Sequence, residues 1–190
     1  MQVRESALWP TRFHLVDYPE AQADKAALVD LCYRLKAEGR SWQIAARAKQ
    51  GLYESAPDLF AHPEAQGLMQ FCGTVICNIF QQDVAFPESW CHITNDGGYH
   101  DTHCHIDFAR HGVCGIYYLQ CRECTVEPPN GINRFYSTHP FAPNDVADIE
   151  PREGQLLLFP GYVRHSALPY RGQEDRVVIS FNARLTPPEE

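Results

Sequence analysis

The chain has 190 residues, 44% hydrophobic and 21% charged, which suits one soluble globular domain and is short for two. A formal charge of −8 with no run of five basic residues argues against nucleic-acid binding, because phosphate contacts need clustered Lys and Arg. No 18-residue apolar run occurs and Met1 to Pro10 lacks an apolar leader core, so neither a membrane span nor a secretory signal is expected, and the cytoplasm is the default location.

Along the first 84 residues helical periodicity dominates. Ala27, Leu28, Leu31, Cys32 and Leu35 recur at three- and four-residue spacing, which predicts an amphipathic helix over about 21–38 closed by Gly39. A second helix is predicted over about 63–82, with Leu68, Phe71, Cys72, Val75 and Ile79 on one face and Pro63 tolerated in the first turn. Beyond residue 84 the texture changes to strands. Trp90, His92 and Thr94 alternate with Cys91 and Ile93, and Val113–Leu119 is a short apolar run of β-formers. Arg134–Ser137, Gln155–Phe159 and Arg176–Ala183 are further candidates, separated by turn clusters such as Asn95-Asp96-Gly97-Gly98, Pro128-Pro129-Asn130-Gly131 and Pro143-Asn144-Asp145. Short, regularly spaced strands of this kind predict a sandwich or barrel. The expected class is therefore α+β, mainly β, in a single domain over 1–190: helical support to about residue 84, packed on one sheet of a β core over about 85–186.

Eight cysteines are scattered, and only Cys121 and Cys124 form a C-x-x-C. A structural zinc site needs a second ligand pair, which is missing, so the thiols are expected to be free small hydrophobes.

The stretch Tyr99–Asp107 reads YHDTHCHID and crowds His100, Asp101, His103, His105 and Asp107 together. In an extended strand residues i and i+2 point the same way, so His105 and Asp107 could reach one ion. His165, sixty residues on, would complete a 2-His-1-carboxylate face, which suits non-haem Fe(II) with open positions for O2 and a co-substrate. The neighbouring pair His103-x-His105 offers a second register. Its cost is the carboxylate that would leave an Fe(II) site at +1, and for that reason His105/Asp107 is the preferred pair. In the other register His103 becomes a ligand; in the preferred one it supports the ligands or contacts substrate. Arg176, eleven residues past His165, could fork onto the distal carboxylate of a chelating keto acid, or simply pair with Glu174 or Asp175. His92 reads as a structural histidine. Trp90, Tyr99, Tyr117, Phe135 and Tyr170 read as core sooner than pocket wall, and His14, His62, His111 and His139 receive no role.

HIDFAR at 105–110, GIYYL at 115–119, GQLLLFPGYVRHSALPY at 154–170 and RVVISFN at 176–182 resemble the iron/2-oxoglutarate dioxygenase superfamily, in its prolyl-4-hydroxylase-like branch and a small bacterial group of oxygenases with an SGVYYL-type motif. The resemblance covers about residues 88–184. It implies a double-stranded β-helix (jelly-roll) core that uses Fe(II), 2-oxoglutarate and O2. By motif, His105, Asp107 and His165 would be the catalytic metal ligands, Arg176 would hold the 2-oxoglutarate distal carboxylate, and Tyr118 would hydrogen-bond the same cosubstrate. The implied reaction is hydroxylation of an unactivated C–H bond with release of succinate and CO2. The small size of the chain points to an amino acid, short peptide or natural-product intermediate as substrate, with no nucleic-acid or membrane partner; oligomeric state is not indicated. Two rivals keep the histidines: a cupin-like metal enzyme without a keto-acid cosubstrate, and a non-catalytic metal- or sugar-binding jelly roll.

Overall fold

A computed structural model describes residues 10–42, 51–109, 112–138 and 145–186. Residues 1–9, His111, His139 and the turn at Pro143-Asn144 lie outside these. The first predicted helix is α1 (Ala21–Ala37), which buries Leu28, Leu31, Cys32 and Leu35. Gly39 follows it at φ +69°, the left-handed conformation that lets the chain turn off the helix end. The second, α2 (Gln66–Phe80), starts three residues later than predicted because Pro63–Ala65 form a separate 3₁₀ turn. Among the described residues, no helix is long and apolar enough to cross a membrane.

The described residues form ten strands in chain order, β1 (His14–Asp17), β2 (Leu52–Glu54), β3 (Asp83–Thr94), β4 (Gly98–His103), β5 (Gly112–Gln120), β6 (Asn133–Tyr136), β7 (Val146–Ile149), β8 (Gln155–Pro160), β9 (His165–Tyr170) and β10 (Arg176–Thr186). They form two antiparallel sheets, a six-stranded one ordered β1-β8-β5-β10-β3-β2 and a four-stranded one ordered β4-β9-β6-β7. This is the jelly-roll core. The residues before 84 contribute more than helices, since β1 pairs with β8 and β2 with β3 at the two edges of the larger sheet.

The period-two alternation of the central strands divides the core into two layers. Val113, Tyr117 and Leu119 of β5, Leu156 and Leu158 of β8, and Val177, Ile179 and Phe181 of β10 pack against the helices. Cys114, Ile116 and Tyr118, with Leu157, Phe159 and Val178, face the smaller sheet and meet Phe135, Val163 and Tyr170 there. On β10 the same alternation sends Arg176, Ser180 and Asn182, all buried, to the inter-sheet side. A run that looks uniformly apolar thus carries a polar stripe into the interior.

Candidate metal centre

The strand order brings the histidines together. His103 is the last residue of β4 and pairs across the ladder with His165, the first residue of β9. On its other side β9 pairs with β6, which sets Phe135 opposite His165. Phe135 stacks on the His165 ring at 5.8 Å and Phe159 meets it edge-on at 4.8 Å, so packing fixes that rotamer. His105 lies just past the end of β4, where its backbone N–H donates to the Gly161 carbonyl at 2.9 Å. Its ring lies nearly parallel to that of His165, 5.3 Å away. The donor atoms of His103, His105 and His165 all lie within 4.8 Å of one another.

Hydrogen bonds prepare two of these rings for a metal. His103 Nδ1 donates to the Asp101 carbonyl at 2.7 Å and His165 Nδ1 donates to the Val163 carbonyl at 3.0 Å. With Nδ1 protonated, Nε2 of each ring carries the lone pair, the tautomer that a metal ligand needs. Burial keeps both rings neutral: it pushes His165 down to about 4, and it pushes His103 down to about 2 with help from the neighbouring His165 and His100.

The expected residues are distributed unequally. Asp107 sits on a 3₁₀ turn (Ile106–Phe108), is exposed, and is not one of the clustered donors. The physical reason is that β4 ends at His103 and a 3₁₀ turn begins at Ile106, so the same-side relation of i and i+2 in an extended strand does not hold between His105 and Asp107. Arg176 is only 1% exposed, and neither Glu174 nor Asp175 neutralises it: Asp175 accepts from Tyr33 and Asn95 instead. Its Nη2 donates to Asn133 Oδ1 at 2.8 Å while its buried Nε has no partner. Tyr118 donates to the same Asn133 oxygen at 3.2 Å, so it reaches Arg176 through Asn133 and not directly. A pocket between the sheets is lined by Arg176, Asn133, His103, His105 and His165, with Trp90 and Ser180. A second cavity of about 290 Å³ opens outside it, walled by Trp42, Trp90, Glu54, Glu88, Asp107 and Asn182 and sharing His100, His103 and His105 with the first.

Residues 88–182, half of the chain, match the family described as "Putative 2OG-Fe(II) oxygenase". The chain belongs to the 2OG-Fe(II) oxygenases. It is accordingly an Fe(II)- and 2-oxoglutarate-dependent enzyme with O2 as cosubstrate, and the cupin-like and non-catalytic readings are not favoured. No relative is found among curated proteins. Solved structures share the fold at low identity. A prolyl-4-hydroxylase of Pseudomonas putida is 18% identical, with coverage of 92% of each chain and a TM-score of 0.62. A Trichoplax adhaerens prolyl hydroxylase, in complex with a hypoxia-inducible-factor peptide, is 15% identical over 91% of this oxygenase and 82% of its own chain, at a TM-score of 0.65. HygX of Streptomyces hygroscopicus, with nickel, 2-oxoglutarate and hygromycin B bound, is 14% identical over 93% and 84%, at a TM-score of 0.73.

Three residues around the oxygenase's pocket escape a reading of the sequence. Asn133 opens β6 and has no motif to announce it. Glu54 lies in a three-residue strand far from the histidines in sequence. His92, expected to be structural, lines the inner pocket. The parity of β3 is the one available signal, since it puts His92 on the same face as Trp90. Cys121 and Cys124 are free and buried, and burial pushes the Cys121 thiol up to about 12. Neither belongs to a metal-ligating group among the described residues.

Proposed function

We propose that this oxygenase holds Fe(II) on His103, His105 and His165, anchors 2-oxoglutarate on Arg176, and hydroxylates a C–H bond of an amino acid, short peptide or natural-product intermediate. The observation that carries the reading is the convergence of three ring nitrogens beside a buried arginine with an unpartnered Nε. An isolated buried charge costs several kcal/mol, so a guanidinium left without a carboxylate is suited to receive one from a ligand. A dicarboxylic keto acid fits: one end chelates the ion, and the other meets Arg176. Three neutral imidazoles leave an Fe(II) site at +2; the chelating carboxylate would lower it to +1 while the distal carboxylate offsets Arg176.

Iron and 2-oxoglutarate, when bound with O2, supply the oxidising power that turns C–H into C–OH with loss of CO2 and succinate. The chain's own contributions are positional. Asp101 and Val163 carbonyls hold the tautomers of His103 and His165. Asn133 fixes Arg176 and, through it, the far end of the cosubstrate, with Tyr118 bracing Asn133 from behind. Asp107 stands in the wall of the outer cavity, where substrate would enter. Peptide and small-molecule ligands in the Trichoplax and Streptomyces structures support either substrate class. The unpaired thiols suit the cytoplasm.

An anaerobic titration tests the reading. A visible charge-transfer band should appear only when Fe(II) and 2-oxoglutarate are both present, and His165→Ala should abolish it. A wild-type chain that binds iron without the band, and with the same affinity after His165→Ala, would overturn the assignment. Succinate release against a panel of amino acids, peptides and metabolites then identifies the substrate.

A further inference from the structure

Beside the three-histidine cluster lies a second convergence of ligand-type side chains, built by different strands. Glu54 comes from β2, His92 from β3 and His100 from β4, and their donor atoms also lie within 4.8 Å of one another. His92 Nε2 is 2.7 Å from Glu54 Oε2, and His100 Nε2 is 3.5 Å from the same oxygen. Nitrogen and oxygen atoms bound to one ion at about 2.1 Å stand about 3.0–3.4 Å apart, so this spread brackets that of a loaded site. The side chains of His92 and His100 are each 13% exposed and that of Glu54 is 22% exposed, which places the three below the surface but within reach of solvent.

We propose that Glu54, His92 and His100 form a second divalent-metal site, distinct from the His103/His105/His165 group and separately loaded. Two imidazoles and one carboxylate make a donor set for a borderline ion of the zinc or cobalt type, with at least one position left for water or a ligand. Glu54 and His100 line the outer cavity, which gives the ion an entry route and puts its open position on the side where substrate approaches. Among the described residues no Lys or Arg lines that cavity, and its walls carry Glu54, Glu88 and Asp107. The two groups touch where His100 Nδ1 lies 3.1 Å from His103 Nδ1. His100 Nδ1 also lies 3.3 Å from the Asp101 carbonyl, and a proton donated there leaves the lone pair on Nε2 for the ion.

The alternative is a metal-free cluster in which His92 and His100 stay paired with Glu54 and the Trp90 indole N–H donates to His92 Nε2 at 3.0 Å, a contact that an ion on that nitrogen would displace. Metal stoichiometry separates the two. The probe is Co(II) on the full chain, by equilibrium dialysis and visible absorption, because a thiolate ligand would betray itself in a separate near-ultraviolet band. Wild-type protein should hold two Co(II) per chain without that band. Glu54→Gln and His92→Gln should each hold one, and His165→Ala should also hold one, since it removes only the other site. Circular dichroism checks that the variants are folded. One Co(II) per wild-type chain, a second ion on thiolate, or two ions retained in Glu54→Gln would overturn the proposal. The wild-type count alone can refute it, so the test does not depend on the folding of a variant. Loss of the first ion in His165→Ala is read independently, so failure of one site is not mistaken for failure of the other.

Discussion

Arg176 carries its charge at 1% exposure, where its Nη2 donates to the neutral amide of Asn133 and its side chain also meets the Cys124 thiol. A buried guanidinium without a carboxylate is costly to the fold and suited to receive an anionic ligand. Arg176→Lys keeps the charge but loses the planar fork, so the KM for 2-oxoglutarate should rise about 10–100-fold while iron binding is nearly unchanged. Steady-state kinetics against iron titration checks the split, and an unchanged KM would remove Arg176 from the cosubstrate site. The metal ligands allow a sharper contrast. His103→Ala should abolish the anaerobic charge-transfer band, whereas Asp107→Asn should leave it within about twofold of the wild-type iron affinity, as expected for a surface group outside the ligand shell. If Asp107→Asn abolishes the band and His103→Ala does not, the ligands are the pair His105 and Asp107 with His165.

At the scale of elements, β5 and β10 form the seam on which both core layers depend, and Gly115 is its tightest point. A Cβ built there would lie 2.1 Å from the Phe181 ring, a wall of the helix-side layer. Gly115→Ala should therefore destabilise the fold by about 1–3 kcal/mol, the cost of overpacking, and lower the thermal midpoint accordingly; an unchanged midpoint would mean that Phe181 swings aside freely. These central strands are also the ones whose pattern is legible in the sequence. VCGIYYL, QLLLF and RVVISFN are apolar because both faces are covered, and the two helices show their stripes for the same reason. The edge strands are silent. β1, β2 and β7 have only three or four residues each, and none of their residues is buried. β4 reads GYHDTH, mostly polar and half exposed, because its inward side chains are metal-type ligands and not hydrophobes. The sequence leaves the choice between His103-x-His105 and His105-x-Asp107 open because β4 is not visible in it: with no strand end in sight, the same-side rule has no anchor. His165 and Arg176 are easier to locate because one starts β9 and the other starts β10, beside apolar runs.

On the scale of the whole molecule, the site is a pocket of neutral histidines that folding keeps from protonation. In the unfolded chain these rings titrate near 6.5, while burial holds His165 down to about 4 and His103 lower still. The unfolded state therefore binds more protons than the folded one between these values, and stability rises with pH across the window. Metal-free protein should be fully stabilised in this respect above about 6.5 and should lose stability steadily as the pH falls from 6.5 towards 4. Denaturant midpoints measured every half unit of pH check this, and His165→Gln should flatten part of the slope. Bound metal deepens the dependence, since ions and protons compete for the same Nε2 lone pairs. Saturating Co(II) should raise the midpoint most at neutral pH and least near 5. A midpoint for the metal-free chain that is flat from 7 to 5 would show that these rings titrate in the fold as they do in the unfolded chain, so that burial does not hold them neutral.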